Sequence, residues 1–402
     1  MNIGVVSTWF ERGAAYVSKS FVDNLLDKNA QVFIYARGGE KFAIDDKEWN
    51  SYKVTWGDRC AYGQINWRKF LAWILDNKIG LIIFNEQVDW EVIVNCRKLK
   101  ILIVSYIDYY KQDTVELFNL YDAVICNTRR HFEVFSGHNN CIFIQWGTNV
   151  DLFRPAYKRH DMLTLFHSAG MGGVNMRKGT DIVVTSFARL TKTAKLIIHS
   201  QVPIEHFGDL SIIIENHPRI EFIHKTVTAP GLYHMGDVYI YPTKLEGIGL
   251  TIAEALSCGL PVITTDCAPM NEFVVDGYNG KLIAVNRYIS RSDGYYWPEC
   301  ECSESALLEI MSNLSDEFKR NNLDEMKNNA RKSALDEFDW KKNASNFSYL
   351  IENIAADKAK NDNYFKLMDK ALNLTYAMRC AKQTKFKHYL RKLYRKLNRL
   401  DM

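Results

Sequence analysis

The stretch Tyr241-Pro242-Thr243-Lys244-Leu245-Glu246-Gly247-Ile248-Gly249-Leu250-Thr251-Ile252-Ala253-Glu254-Ala255-Leu256-Ser257-Cys258-Gly259-Leu260-Pro261-Val262 reads as a strand end, a glycine-bearing loop opening a helix, and a Gly-then-Pro stop before the next strand. Two carboxylates, Glu246 and Glu254, bracket the helix start. Such an N-terminus offers unpaired N–H groups and a positive dipole end to an anion. Ionised carboxylates beside it are pure acceptors, and hydroxyls are donors. The pairing of an anion site with hydroxyl acceptors suits a nucleotide-sugar.

Outward from this segment, β-branched runs alternate with helical patterns. Strands are expected at Ile3–Ser7, Gln31–Tyr35, Ile79–Phe84, Lys100–Ser105, Ala123–Cys126 and Cys141–Gln145, with helices at Val17–Asp27, Trp67–Asp76 and Thr128–Phe135. The rhythm restarts with strands at Leu163–Ser168, Lys195–His199, Ile220–Phe222, Val238–Tyr241 and Pro261–Thr264, and a helix near Thr180–Leu190. Alternation of this kind implies parallel sheets covered by helices on both faces. The expected fold class is α/β, with two doubly wound Rossmann-like domains facing a cleft and a C-terminal helical extension. The boundaries are a first domain over 1–150, a second over 151–345, helices over 346–381 that pack back on the first domain, and a basic amphipathic helical tail over 382–402. The hinge is expected at Trp146–Pro155, where Gly147 can turn the chain and Pro155 extends it. Residues Tyr288–Ser305, with Gly294-Tyr295-Tyr296-Trp297-Pro298, read as an irregular loop, either a lid or an aromatic plug on the core.

With 402 residues, 47% hydrophobic and 13% aromatic, the chain has ample material for two cores. No run approaches the roughly 18–20 apolar residues that cross a bilayer, and Met1-Asn2-Ile3-Gly4-Val5-Val6 reads as a first core strand rather than a leader. Nine cysteines in apolar segments suggest reduced thiols and a cytoplasmic setting. Cys126, His131, His138 and Cys141 are too irregularly spaced for a zinc site, and small buried hydrophobes are the simpler reading. The formal net charge of +4 conceals an asymmetry, because eight Lys or Arg against one acid fall between Lys382 and Met402, leaving the rest net acidic.

Taken together, Glu246-Gly247-Ile248-Gly249-Leu250 through Glu254-Ala255, Cys258-Gly259-Leu260-Pro261-Val262 and Glu272-Phe273-Val274-Val275-Asp276-Gly277-Tyr278-Asn279-Gly280 resemble the donor-binding signature of retaining glycosyltransferases of family 4, which have the GT-B fold. Asn149–Pro155 resembles that family's interdomain linker, and Arg177-Lys178-Gly179 its diphosphate-binding turn. The resemblance covers about residues 1 to 350. It implies that Glu246 contacts donor-sugar hydroxyls, that Glu254 holds the ribose, and that the backbone of Gly247, Ile248, Gly249, Leu250 and Thr251 caps sugar and diphosphate.

It further implies that Lys178 neutralises the leaving diphosphate. The family commonly has an arginine a few residues upstream of that lysine; here Gly170-Met171-Gly172-Gly173 and Met176 stand instead. Arg177 either replaces it or only covers surface with its stem. In the first half, Tyr106-Ile107-Asp108-Tyr109-Tyr110 has the acid but not the histidine that many relatives place there. Asp108 is thus expected near the reacting sugar, with a helix cap as the alternative. Gly13 resembles the small-residue loop where donor and acceptor approach, and Glu86 would face the acceptor. The expected catalytic set is Asp108, Lys178 and Glu246, with Glu86 and Asp108 toward the acceptor.

The reaction implied is sugar transfer from a nucleoside diphosphate with retention, by front-face attack, without cofactor or metal. In the tail, Phe386, Tyr389, Leu390, Leu393, Tyr394, Leu397 and Leu400 recur at spacings of three and four opposite the basic face. That pattern suits a helix on an anionic membrane surface, with packing on the acidic body as the alternative. The expected partners are a nucleotide-sugar donor, a glycan acceptor carried on lipid and the cytoplasmic face of a membrane, with no nucleic acid. Competing readings are a catalytically silent nucleotide-sugar-binding protein and a GT-B epimerase or phosphorylase.

Overall fold

The computed structural model describes residues 1–38, 43–60, 64–85, 87, 89–156, 160–171, 176–320, 323–356 and 364–397, without the side chains of 355–356 and 382–397. Glu86 and the glycines at 172 and 173 lie outside the described residues, as do the side chains of the tail.

Two parallel sheets form the two expected doubly wound domains. In spatial order the first runs Val54–Trp56, Gln31–Ala36, Asn2–Ser7, Ile79–Asn85, Leu102–Tyr106, Ala123–Cys126 and Cys141–Phe143. The second runs Ile220–His224, Ala194–Ser200, Leu163–Gly170, Val238–Tyr241, Val262–Thr265 and Gly280–Ile283. Strand Ile79–Asn85 is almost continuously apolar because it is covered on both faces. Helix Gly13–Asp27 instead turns only a stripe inward, burying Val17, Phe21, Val22 and Leu25. Strand order reverses beside Asn2–Ser7 in one sheet and beside Leu163–Gly170 in the other. The carboxyl ends of the strands at such reversals are where α/β sheets bind ligands.

The hinge is a double crossing. Thr148 N–H donates to Phe338 O at 2.8 Å and Trp340 N–H returns to Thr148 O at 3.0 Å. Gly147 is needed there, since a β-carbon would lie 2.5 Å from Phe338 O. Beyond the crossing the chain stays with the first domain: Phe347 meets Phe21 at 4.8 Å between ring centroids, and Asn24 Nδ2 donates to Ala344 O at 3.0 Å. A final 34-residue helix, Tyr364–Leu397, runs without interruption through position 381. Ala371 on it is fully buried, Arg97 lies over its Tyr364, and its Lys370 and Arg379 pair with Glu116 and Glu91, each at 2.5 Å. Among the described residues no helix is long and apolar enough to cross a membrane.

Residues 288–305 are not the irregular loop expected. Val285–Ile289 and Glu299–Cys302 form an antiparallel hairpin whose second strand is tied to the body by Cys300 N–H donating to Lys244 O at 2.8 Å. Its aromatic tip crosses to the first domain. Tyr295 stacks on Tyr109 at 5.1 Å and donates to Asp108 O at 3.1 Å, while Tyr296 N–H donates to Tyr110 O at 3.0 Å. The hairpin escaped the sequence reading because its strands are short and polar, and their pairing is specified by distant residues.

Candidate active site

Glu246, Lys178 and Arg177 come together where the second sheet reverses. Lys178 Nζ and the hydroxyls of Tyr241 and Thr243 all donate to Glu246 Oε1 at 2.8 Å. Lys178 also donates to the Tyr241 hydroxyl, and Arg177 Nη1 lies 3.5 Å from Glu246 Oε2. Burial pushes the Glu246 carboxyl up, but the two cations outweigh it and hold it down to about 2. Burial pulls the Lys178 ammonium below its ordinary value, and the neighbouring Glu246 carboxylate opposes that shift.

The turn carrying these cations is fixed by the main chain. Gly179 has φ +74°, a left-handed conformation that favours glycine, and a β-carbon there would lie 2.2 Å from Pro242 O. Lys244 N–H donates to Arg177 O at 2.8 Å, pinning the turn to the strand end at Tyr241. Below it, buried His167 bridges Ile240 O and Thr180 Oγ1, each at 2.8 Å. Arg177 does more than cover surface with its stem, because its guanidinium donates to Leu245 O beside Glu246.

Helix Leu250–Ser257 opens at Gly249, whose φ of +94° turns the chain into the first turn. On it, Tyr233 OH donates to Glu254 Oε2 at 2.6 Å, and burial pushes the Glu254 carboxyl up to about 6. A solvated helix face would have done neither. Across the cleft, Gly13 opens the first helix against this one: a β-carbon on Gly13 would meet Leu250 Cδ1 at 3.3 Å. Asp108 reaches across to the loop at Gly247, and among the described residues it is the N-cap of no helix.

Sequence reasoning missed the residues that join the domains here. Helix Arg129–Phe135 of the first domain points its N-terminus at the second, where Glu272 accepts from the N–H groups of Arg129 and Arg130 at 2.6 and 3.0 Å. Arg130 donates to Glu246 O at 2.5 Å and to Ala268 O at 2.6 Å. His131 Nε2 lies 2.9 Å from Gly247 O and its Nδ1 2.9 Å from Tyr110 OH. A carbonyl only accepts, so the proton sits on Nε2 and Tyr110 donates to Nδ1. Trp297 Nε1 in turn donates to Tyr110 OH at 2.6 Å. Burial, aided by the Arg130 charge, pushes His131 down to about 3, so the ring is neutral and the chain of donors keeps one direction. With both nitrogens committed, His131 is unavailable to a metal. Cys126 and Cys141 lie 3.9 Å apart as free thiols, and no group of three metal-ligating side chains occurs among the described residues. The signal for this network was Thr128-Arg129-Arg130-His131, a capped helix start with adjacent cations, which alone does not say what it faces.

Residues 166–290 match the family model described as Glycosyl transferases group 1. A lipopolysaccharide core biosynthesis mannosyltransferase, LpsB of Rhizobium meliloti, is 30% identical over 126 residues, which are 29% of this chain; the chain spans 36% of that relative's length. Among solved structures, a glycosyltransferase from Rickettsia africae superposes with a TM-score of 0.72 at 12% identity, covering 89% of this chain and 99% of the other. Anabaena HepE, solved in complex with UDP and glucose, does so with a TM-score of 0.68 at 16% identity, covering 88% and 100%. The architecture is therefore GT-B, as the motifs implied.

Proposed function

We propose that this protein is a glycosyltransferase that moves a sugar from a nucleoside-diphosphate sugar to a glycan acceptor, with retention of anomeric configuration, in cell-surface polysaccharide or lipopolysaccharide synthesis. The observation that carries the reading is the buried Glu246–Lys178 pair at the mouth of helix Leu250–Ser257, facing Asp108 across the cleft. Similarity to a lipopolysaccharide mannosyltransferase and to a UDP-bound fold relative supports the substrate class.

Each group then has a task set by its remaining valence. Glu246 Oε1 is saturated by three donors, which leaves Oε2 for a hydroxyl of the donor sugar. Glu254 Oε2 is taken by Tyr233, which leaves Oε1 for the ribose. Lys178, Arg177 and the N–H groups at Gly249, Leu250 and Thr251 face the diphosphate and stabilise the negative charge that grows as the glycosidic bond breaks. The acceptor hydroxyl attacks from the face the diphosphate leaves, and a departing phosphate oxygen takes its proton. Asp108 beside Gly247 orients the reacting sugar, so no enzymic nucleophile is required. Charge on the leaving group is met by side chains and amides, and the reaction is metal-independent on this reading. Attachment of the basic tail to anionic lipid would bring the enzyme to a lipid-linked acceptor on the cytoplasmic face.

The test is a panel of nucleotide sugars with and without lipid-linked glycan acceptors, scored for free nucleoside diphosphate. Acceptor-dependent release supports the proposal. An altered sugar nucleotide without acceptor would mark an epimerase, strict dependence on inorganic phosphate a phosphorylase, and binding without turnover a silent protein.

A further inference from the structure

A cavity of about 410 Å³ lies between the first domain and the long C-terminal helix. It is lined by the aromatic side chains of Trp90, Tyr109 and Phe118 from the first domain and by Leu374 and Met378 from the helix. Asp89 lines it and is only 5% exposed. One carboxylate oxygen, Oδ2, accepts from Ile65 N–H at 3.3 Å. The other, Oδ1, is buried, has no hydrogen-bond partner among the described residues, and lies 3.8 Å from Arg379 Nη2.

A buried carboxylate oxygen without a donor is costly, and the walls around it are aromatic. We propose that this cavity is a carbohydrate subsite, in which a pyranose ring lays its apolar face on the aromatic lining and donates a hydroxyl hydrogen to Asp89. An acyl chain would fill the space but leave Asp89 unmet. Arg379, already paired with Glu91, stands 3.8 Å from Asp89 and leaves room for a hydroxyl donor between them. The volume falls within the roughly 300–1,000 Å³ of small-molecule sites. Tyr109 in the wall adjoins Asp108 in the cleft, so an occupant would be a further sugar of the acceptor glycan. That role rests on the glycosyltransferase reading; the binding itself does not.

Saturation-transfer NMR with methyl glycosides of glucose, galactose, mannose and N-acetylglucosamine tests this on the full chain. The cleft is disabled by Lys178→Ala, and the cavity is altered by Asp89→Asn, which keeps its volume, or by Leu374→Trp, which fills it. At least one glycoside should retain its signal in Lys178→Ala and weaken at least tenfold in both cavity variants, whose folding is checked by circular dichroism and thermal unfolding. No signal from any glycoside, signals unchanged in both cavity variants, loss of all signals with Lys178→Ala, or displacement of the sugars by n-octanol would each overturn it. Nucleoside-diphosphate binding by the unaltered protein, measured separately, reports on the cleft alone, so failure of the subsite and failure of the proposed function are distinguishable.

Discussion

Asp108 and Gly247 touch across the cleft so closely that a β-carbon on Gly247 would lie 1.8 Å from Asp108 Oδ1 and 3.0 Å from its Cγ. The glycine is therefore set by a carboxylate from the other domain, and not only by its own loop.

Gly247→Ala should force the domains or the Asp108 side chain apart. Overpacking of this kind costs about 1–3 kcal/mol, and transfer should fall much further than stability does. Pairing it with Asp108→Ala should recover the thermal midpoint without recovering turnover, measured by unfolding and nucleoside-diphosphate release.

Nucleotide-sugar affinity should depend on pH through Glu254. Its carboxyl is held at about 6, and a carboxylate accepts a ribose hydroxyl better than a carboxylic acid does. Affinity should drop as pH falls from 7 to 5, and Glu254→Gln should flatten the profile at the weaker level in titration calorimetry. Stability runs the other way. Because the folded-state value is raised, the folded state holds more protons between the unfolded carboxyl range and 6, so this group's contribution is present at low pH and lost as pH rises through about 6.

Lys178→Met should lower turnover by about 10²–10³, the usual effect of losing one aimed charge-stabilising donor. It also leaves Glu246 buried with Arg177 as its remaining cation, so the thermal midpoint should fall as well. On the proposed reading, in which Lys178, Arg177 and the helix N-terminus meet the leaving charge, transfer by the unaltered protein should persist in excess EDTA; loss of activity restored by a divalent ion would overturn metal independence.

Trp297→Phe keeps an aromatic ring against Tyr296 but removes the N–H that begins the chain through Tyr110 and His131 to Gly247 O. Stability should fall by about 1 kcal/mol, with a larger relative loss in kcat than in KM, read from steady-state kinetics. An unchanged kcat would mean that the chain holds the hairpin but not the loop at Gly247.

The cluster in the second domain was legible because its parts are local. Glu246, Gly249, Glu254 and Lys178 each sit at a strand end or helix start that the sequence pattern marks directly. Arg130, His131 and Trp297 were not legible, because their partners lie 116, 116 and 187 residues away and only the folded domain contact brings them together. The edge strand Val54–Trp56 was missed for another reason: three residues are too few to display an alternating pattern. The tail's apolar stripe was visible, but periodicity alone does not place it in a helix that begins as far back as Tyr364.

That helix spans about 50 Å at the usual rise per residue. Its first half is bolted to the body at Lys370 and Arg379, and it also lines the cavity together with Trp90. It is thus a lever arm whose fulcrum is the cavity rim. A torque applied at the distal end, by a lipid surface or by another macromolecule, would be felt first at Arg379 and Met378. Force on the distal half and filling of the cavity would therefore act on the same stretch of helix.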